Sequence, residues 1–394
     1  MEECGPWDVS RRVAVAVSGG SHSLCLALLA HGWGQPLALI VDHGLRPEAP
    51  REAAWTAAVL SAHGIANRIL TLRSLAAGPG VSARARRARY GAMEEACREA
   101  GLVDLLLGHH AGDQAETVLM RQRQGSGRAG LAGMPALRAT ALVRLVRPLL
   151  DQPAERLRAT LHAVGQHEWV DDPSNQDMTY SRVRARDELA RGTAAPDRTP
   201  SSVRMMDEAT AAAELAFAAM ILPEGWAVLR PGPLSPTALG MLLRAIGGSA
   251  YPAPRMALAS LAATMRPATL AGVRIMPAGR YGPGWLLVRE AAAMAAPVEI
   301  EDGAIWDGRF RVCGSLAGWT LGALGGDAAQ LRHLSPWPSA ALQTLPALRH
   351  INDLSVVPHL SYGQVRLGDA RAPEPISVRR AGPPVCGSGF TGVD

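Results

Sequence analysis

The chain has 394 residues, of which 48% are hydrophobic and 19% are charged, with a formal net charge of +5 and an isoelectric point near 9.2. This composition excludes an intrinsically disordered chain, and the length suffices for two or three domains. No apolar run reaches the roughly 20 residues of a membrane span, and the acidic start MEECGPWDVSRR is unlike a secretory signal, so we expect a cytoplasmic protein without a membrane partner.

The first half of the chain alternates predicted strands with predicted helices. Apolar runs predict strands at 13–17, 37–41, 65–72 and 104–107, and helical patterns cover about 23–30, 48–63 and 82–100. This alternation predicts an α/β fold with a doubly wound parallel sheet, similar to a Rossmann fold.

Polar clusters follow three of these strands directly, at 18–23, 42–46 and 108–117. In doubly wound sheets, ligands bind beyond the carboxyl ends of the strands, near the point where the strand order reverses. We therefore expect the three clusters to meet in one cleft.

The rest of the chain divides into less regular regions. The stretch RGTAAPDRTPSS predicts a boundary near 195, so 1–195 forms the first domain. A helical and mixed region follows at 196–296, and a small region at 297–394 has short strands and a loose, Pro/Gly-rich tail after residue 370.

The basic residues are all arginine, because the chain contains no lysine. This excludes a Walker A loop, a Schiff-base lysine and a lysyl-adenylate ligase. The positive charge suits an anionic partner such as RNA, and the planar guanidinium fork can bond two phosphate oxygens.

The cysteines lack the spacing of a metal site. None forms a CxxC pair, so zinc, iron–sulfur and disulfide frameworks have no support. They are Cys4, Cys25, Cys97, Cys313 and Cys386.

The cluster SGGSHS after the first strand has the features of a phosphate or pyrophosphate cradle. Its glycines allow an anion to approach the backbone, its hydroxyl groups can donate, and the positive end of the next helix follows. An ordinary strand-to-helix turn is the alternative. The residues are Ser18, Gly19, Gly20, Ser21, His22 and Ser23.

This loop resembles the SGGxDS loop of the ATP pyrophosphatases, also called the PP-loop family. Four further stretches resemble, in order and spacing, motifs of the tRNA(Ile)-lysidine synthetases, a likeness that covers about the first 190 residues. They are VDHGLRPE at 41–48, GHHAGDQAET at 108–117, GSGRAGLAGM at 125–134 and DDPSNQDMTYSRVRAR at 171–186.

The resemblance implies a ligase that uses ATP and Mg²⁺. The wobble cytidine of tRNA(Ile) with a CAU anticodon is adenylated with release of pyrophosphate, and the amine of free lysine then displaces AMP to give lysidine. ATP would bind at 18–23 and at Asp42 and His43, which end the second strand. Whether the protein is a homodimer is left open.

The resemblance also implies catalytic roles for Asp113, Glu116 and His110. The two carboxylates could hold Mg²⁺ directly or through water. His110 and the neighbouring His109 could donate to phosphate or move a proton. The alternatives are that the histidines cap a strand and that Glu116 stabilises its own helix.

Arginines predicted to contact tRNA phosphates fall in two groups. Arg182, Arg184 and Arg186 stand at alternate positions, on one side of an extended segment or spread round a helix. Arg86 and Arg89 fit the ARxxRY pattern of the family, although a solvated helix face is the alternative for them.

Three positions depart from the family pattern. His22 replaces the Asp of SGGxDS, Gly112 replaces the first Asp of DDQ, and Gln124 replaces the Arg of RGSG. Neutral imidazole is a poor Mg²⁺ ligand and glycine offers no ligand. The alternative function is thus a paralogue that binds tRNA, with or without ATP, and does not catalyse the reaction. A tRNA thiolase of the same fold is a third hypothesis, but it would need paired cysteines, which this chain lacks.

Overall fold

The computed structural model describes residues 5, 7, 9–44, 46–72, 81–140, 142–171, 181–193, 196, 199–249, 251–351, 353–362 and 377–380. The chain forms two compact units, of which the first ends at Arg204 and the second begins at Met205. The three regions predicted at 1–195, 196–296 and 297–394 stay predictions.

Within the described residues, the first unit contains six strands and seven helices, and every strand and helix predicted for it is present. The strands are β1 (Arg12–Val17), β2 (Gln35–Asp42), β3 (Ala66–Thr71), β4 (Asp104–Leu107), β5 (Leu137–Ala139) and β6 (Arg144–Val146). The helices are α1 (Ser21–Trp33), α2 (Ala49–Ala62), α3 (Val81–Glu99), α4 (Ala111–Arg123), α5 (Arg128–Leu131), α6 (Ala154–Ala163) and α7 (Ser181–Ala190).

These strands form one sheet in the order β3-β2-β1-β4-β6-β5, parallel throughout except for the antiparallel edge strand β5. Side chains alternate along β1, so Val13 and Val15 pack on one face with α1 and α6, whereas Ala14 packs on the other with α3. Both faces are covered by helices, which confirms the doubly wound α/β fold.

The strand order reverses next to β1. The chain runs outward through β2 and β3 and then returns to place β4 on the opposite side of β1. The β1–α1 and β4–α4 loops therefore flank the switch point, where open α/β sheets bind ligands.

Helix α8 (Ser201–Ala218) crosses the boundary between the units. In the part of the second unit that the structure describes, there are short strands and three further helices. In chain order they are β7 (Ala219–Ile221), β8 (Ala227–Leu229), α9 (Pro236–Gly247), α10 (Arg255–Ala263), β9 (Ala268–Leu270), β10 (Val273–Pro277), β11 (Trp285–Arg289), β12 (Val298–Ile300), β13 (Ile305–Trp306), β14 (Phe310–Cys313), β15 (Leu316–Ala323), α11 (Ser339–Leu342), β16 (Pro346–His350), β17 (Asp353–Val356) and β18 (Ser377–Arg380).

The strands of the second unit form three antiparallel sheets, ordered β7-β8-β11-β10-β9, β12-β15-β16-β17 and β13-β14-β18. Buried leucines of α9 pack on the first sheet because their spacing gives the helix one apolar face. Strand β18, which falls within the predicted tail, pairs with β14. Within the described parts of the chain, no helix is long and apolar enough to cross a membrane.

Candidate functional site

The β1–α1 loop is closed by its own hydroxyl groups. The Oγ of Ser23 accepts a hydrogen bond from the Ser18 backbone N–H at 3.2 Å and donates to the Gly20 carbonyl at 2.9 Å. Gly20 is the N-cap of α1, and Ser21 and His22 are its first two residues. The first N–H groups of a helix have no partner within the helix, so this turn is shaped to receive an anion.

Gly19 is required by close packing as well as by its backbone. Its φ is +82°, and a Cβ there would lie 2.4 Å from the Oγ1 of Thr56 on α2 and 2.9 Å from a methyl group of Val170. The Val170 N–H donates to the Gly19 carbonyl at 3.0 Å. Neither neighbour was predicted, because both are distant in sequence and no motif links them to the loop.

The histidine in the loop contacts the β4–α4 loop directly. The rings of His22 and His110 meet edge to face, with centroids 4.0 Å apart. Burial, followed by the charge of His110, lowers the pKa of His22 to about 4, and burial with Arg147 lowers the pKa of His109 to about 4. The imidazoles of His22 and His109 are therefore neutral at neutral pH.

Two of the three sequence departures meet at the ring of His110. The Nδ1 of His110 accepts from the Gly112 N–H at 3.0 Å, and the Asp113 carboxylate accepts from the His110 N–H at 3.0 Å, which together cap α4. A Cβ on Gly112 would lie 2.7 Å from the Cε1 of His110. The ring position that contacts His22 thus depends on glycine at 112.

The two predicted metal ligands are bonded to arginines of α7. Glu116 accepts from the Nε of Arg182 at 3.0 Å and from the Nε of Arg186 at 2.6 Å. Asp113 accepts more weakly from the terminal nitrogen of Arg182, at 3.5 Å. Burial alone would raise the pKa of Asp113, but the charge of His110, its backbone N–H and the Arg182 guanidinium lower it.

These carboxylates do not fit a directly bound Mg²⁺ in this arrangement. Each is in contact with a guanidinium group, whose charge repels a dication. Among the described residues, no group of three or more His, Cys, Asp or Glu side chains could hold a metal ion.

The motif GSGRAGLAGM is seated on α4 by the buried side chain of Gln114. The Gln114 amide donates to the Met134 carbonyl at 3.0 Å and accepts from its N–H at 2.6 Å. Arg121 donates to the carbonyls of Gly130 and Gly133, at 3.0 and 2.6 Å. This segment therefore packs as part of the α4 layer, and Gln124 ends α4 as its C-cap.

Arg147, which no motif predicted, is 5% exposed at the end of β6 and donates to the Pro135 carbonyl at 2.8 Å. Burial, together with nearby arginines, lowers its pKa to about 10. A buried arginine after a strand has no distinctive sequence signal.

The other predicted residues lie at the end of β2, on α3 and on α7. Asp42 ends β2, where its carboxylate accepts from the Gly44 N–H at 3.0 Å, and His43 follows it. Arg86 and Arg89 on α3 lie over the ring of Tyr90, at 5.1 and 5.7 Å from its centroid. Arg184 is exposed on α7. The structure thus brings the 18–23 loop and His110 together, and joins Asp113 and Glu116 to Arg182 and Arg186.

Comparisons with known proteins agree on one family. Residues 2–192 match the model of the PP-loop domain. A tRNA(Ile)-lysidine synthase of Novosphingobium aromaticivorans is 43% identical over 55% of this chain and 68% of its own length. A protein of the same name from Ruegeria pomeroyi is 33% identical over 88% of this chain and 88% of its own length.

Proposed function

The chain belongs to the tRNA(Ile)-lysidine synthase family, and we propose that it uses ATP to join free lysine to the wobble cytidine of a tRNA(Ile) with a CAU anticodon. The observation that carries this proposal is the SGGSHS loop, placed at the switch point of the sheet against the His110 end of α4. Two helix N-termini meet there, which suits the phosphates of ATP.

In this proposal, residues 18–23 hold the phosphates of ATP while Asp42 and His43 lie towards the nucleotide. Neutral His22 and His109 offer N–H donors without adding charge. Bound to ATP as part of the substrate, Mg²⁺ would neutralise the departing pyrophosphate.

The tRNA would be held by arginine contacts to its phosphates. Arg86, Arg89, Arg182, Arg184 and Arg186 are the proposed contacts, since guanidinium groups bond phosphate oxygens in pairs. A cytoplasmic location stays a prediction, and a homodimeric assembly stays open.

Incubation of the protein with ATP, Mg²⁺, lysine and a tRNA(Ile) with a CAU anticodon tests the proposal. We expect mass spectrometry of the digested tRNA to show a cytidine with one added lysine. Omission of lysine is the control, and no modified nucleoside should then form.

A second candidate is a tRNA-binding paralogue without catalysis, which the departures at His22 and Gly112 favour. The same assay separates the two candidates when tRNA binding is measured beside it. Binding of tRNA without lysidine or pyrophosphate would support the second candidate and contradict the first.

A further inference from the structure

We infer that Glu116, assisted by Asp113, is a positioning residue that holds Arg182 and Arg186 for a phosphate group of the substrate, rather than a ligand of Mg²⁺. This inference rests on the proposed function, since it assumes that the site takes a phosphorylated substrate. It starts from the mismatch between these carboxylates and a metal ion.

The local charges are balanced before any ligand binds. Two carboxylates, Asp113 and Glu116, face two guanidinium groups, Arg182 and Arg186. A dication needs an excess of negative charge, whereas this group of four has none.

The arginines are more exposed than the carboxylate of Glu116, and this difference favours binding of an anion. The side chain of Glu116 is 3% exposed, whereas those of Arg182 and Arg186 are 39% and 46% exposed. The carboxylate therefore lies behind the arginines, and an incoming ligand meets the guanidinium groups first.

The hydrogen-bond pattern leaves the terminal nitrogens of Arg186 available to a ligand, whereas one terminal nitrogen of Arg182 also contacts Asp113 at 3.5 Å. Glu116 takes the Nε atoms, and no acceptor among the described residues contacts the terminal nitrogens of Arg186. Those terminal nitrogens form the fork that bonds two phosphate oxygens. Arg182 and Arg186 are four residues apart on α7, so both forks lie on the same side of the helix.

A matched control lies on the same two helices. Arg123 at the end of α4 forms an ion pair with Glu188 on α7. Glu188→Gln removes an α4–α7 ion pair without changing the contacts of Glu116, so it reports on helix packing alone.

The experiment compares the original protein with Glu116→Gln, Arg186→Lys and Glu188→Gln. ATP affinity is measured by calorimetry over a range of Mg²⁺ concentrations, and tRNA affinity by filter binding. Thermal unfolding checks each variant, and Arg186→Lys keeps the inference testable if Glu116→Gln does not fold, because residue 186 is half-exposed and keeps its charge.

We expect Glu116→Gln and Arg186→Lys each to weaken binding of ATP or of tRNA about tenfold or more. The Mg²⁺ concentration needed for half-maximal ATP binding should change less than about twofold, and Glu188→Gln should match the original protein. If only the affinity for ATP falls, the ligand of the arginines is a phosphate of the nucleotide. If only the affinity for tRNA falls, the ligand is a phosphate of the tRNA backbone.

Three results would overturn the inference. One is that Glu116→Gln alone raises the Mg²⁺ concentration needed for half-maximal ATP binding, which would identify Glu116 as a metal ligand. The others are unchanged ATP and tRNA affinities in both variants, or an equal loss in Glu188→Gln. If the original protein binds ATP and tRNA but forms no lysidine, the proposed function fails while these comparisons still decide the role of Glu116.

Discussion

A side chain at Gly19 is disfavoured for two reasons. The backbone has a φ of +82°, and Thr56 and Val170 leave no room for a Cβ atom. We expect Gly19→Ala to weaken ATP binding at least tenfold and to lower the free energy of unfolding by about 1 to 3 kcal/mol, because the loop must shift. Calorimetry with ATP and chemical denaturation measure the two effects.

Gly32→Ala is the matched control for Gly19→Ala. Gly32 lies in α1 with nothing within 4 Å of the added Cβ. It should leave ATP affinity unchanged and raise stability by about 0.5 to 1 kcal/mol, since alanine is the better helix former. Equal ATP affinity in both variants would contradict the loop assignment.

His22 and Gly112 are coupled through the ring of His110, and this predicts a non-additive pair of substitutions. Gly112→Asp alone should destabilise the protein, since its Cβ meets that ring at 2.7 Å. His22→Asp removes the ring that His110 packs against, so the double variant should be less destabilised than the sum of the singles by about 1 kcal/mol. Denaturant unfolding of all four proteins gives the coupling, and strict additivity would contradict it.

At the scale of elements, α4 and the segment that follows it are joined by the side chains of Gln114 and Arg121. The paired hydrogen bonds between Gln114 and Met134 predict that Gln114→Ala loosens residues 128–134 by about 1 to 3 kcal/mol. Hydrogen exchange should show faster exchange in that segment. Gln124→Ala, at the exposed C-cap of the same helix, should leave the exchange rates unchanged.

The four strands and three helices that precede residue 108 were predictable because their patterns are local. The apolar run from Val13 to Val17 and the apolar run from Asp104 to Leu107 each indicate a strand without reference to the rest of the chain. The edge strand β5, of three residues, carries too short a pattern. The bonds from Glu116 to Arg182 and Arg186 were not predictable, because they join residues whose pairing no local period encodes.

At the scale of the whole molecule, buried neutral histidines make stability depend on pH. Burial lowers the pKa of His22, His109 and His359 from 6.5 to about 4. In the unfolded chain these residues take up protons near pH 6.5, but in the folded chain only near pH 4. Their stabilising contribution is therefore complete above pH 6.5 and is lost as the pH falls towards 4.

We expect the free energy of unfolding to fall between pH 6.5 and 4, by on the order of 1 kcal/mol or more for each histidine. His359→Gln removes one titrating group from the second unit, so the pH dependence of that variant should be shallower than that of the original protein. Denaturant unfolding at several pH values measures both. An identical pH profile in the two proteins would contradict the assignment.

The hydrogen bond between Val170 and Gly19 has a consequence for the order of events during synthesis. The loop at 18–23 emerges from the ribosome early, whereas Val170, which bonds to it, emerges only when the first unit is nearly complete. Contacts between such distant residues form late in folding, since the intervening chain must be ordered first. A nascent chain that ends before residue 170 would therefore carry β1 and α1 without the closed 18–23 loop, and ATP bound there as proposed could stabilise the protein only after the first unit has folded.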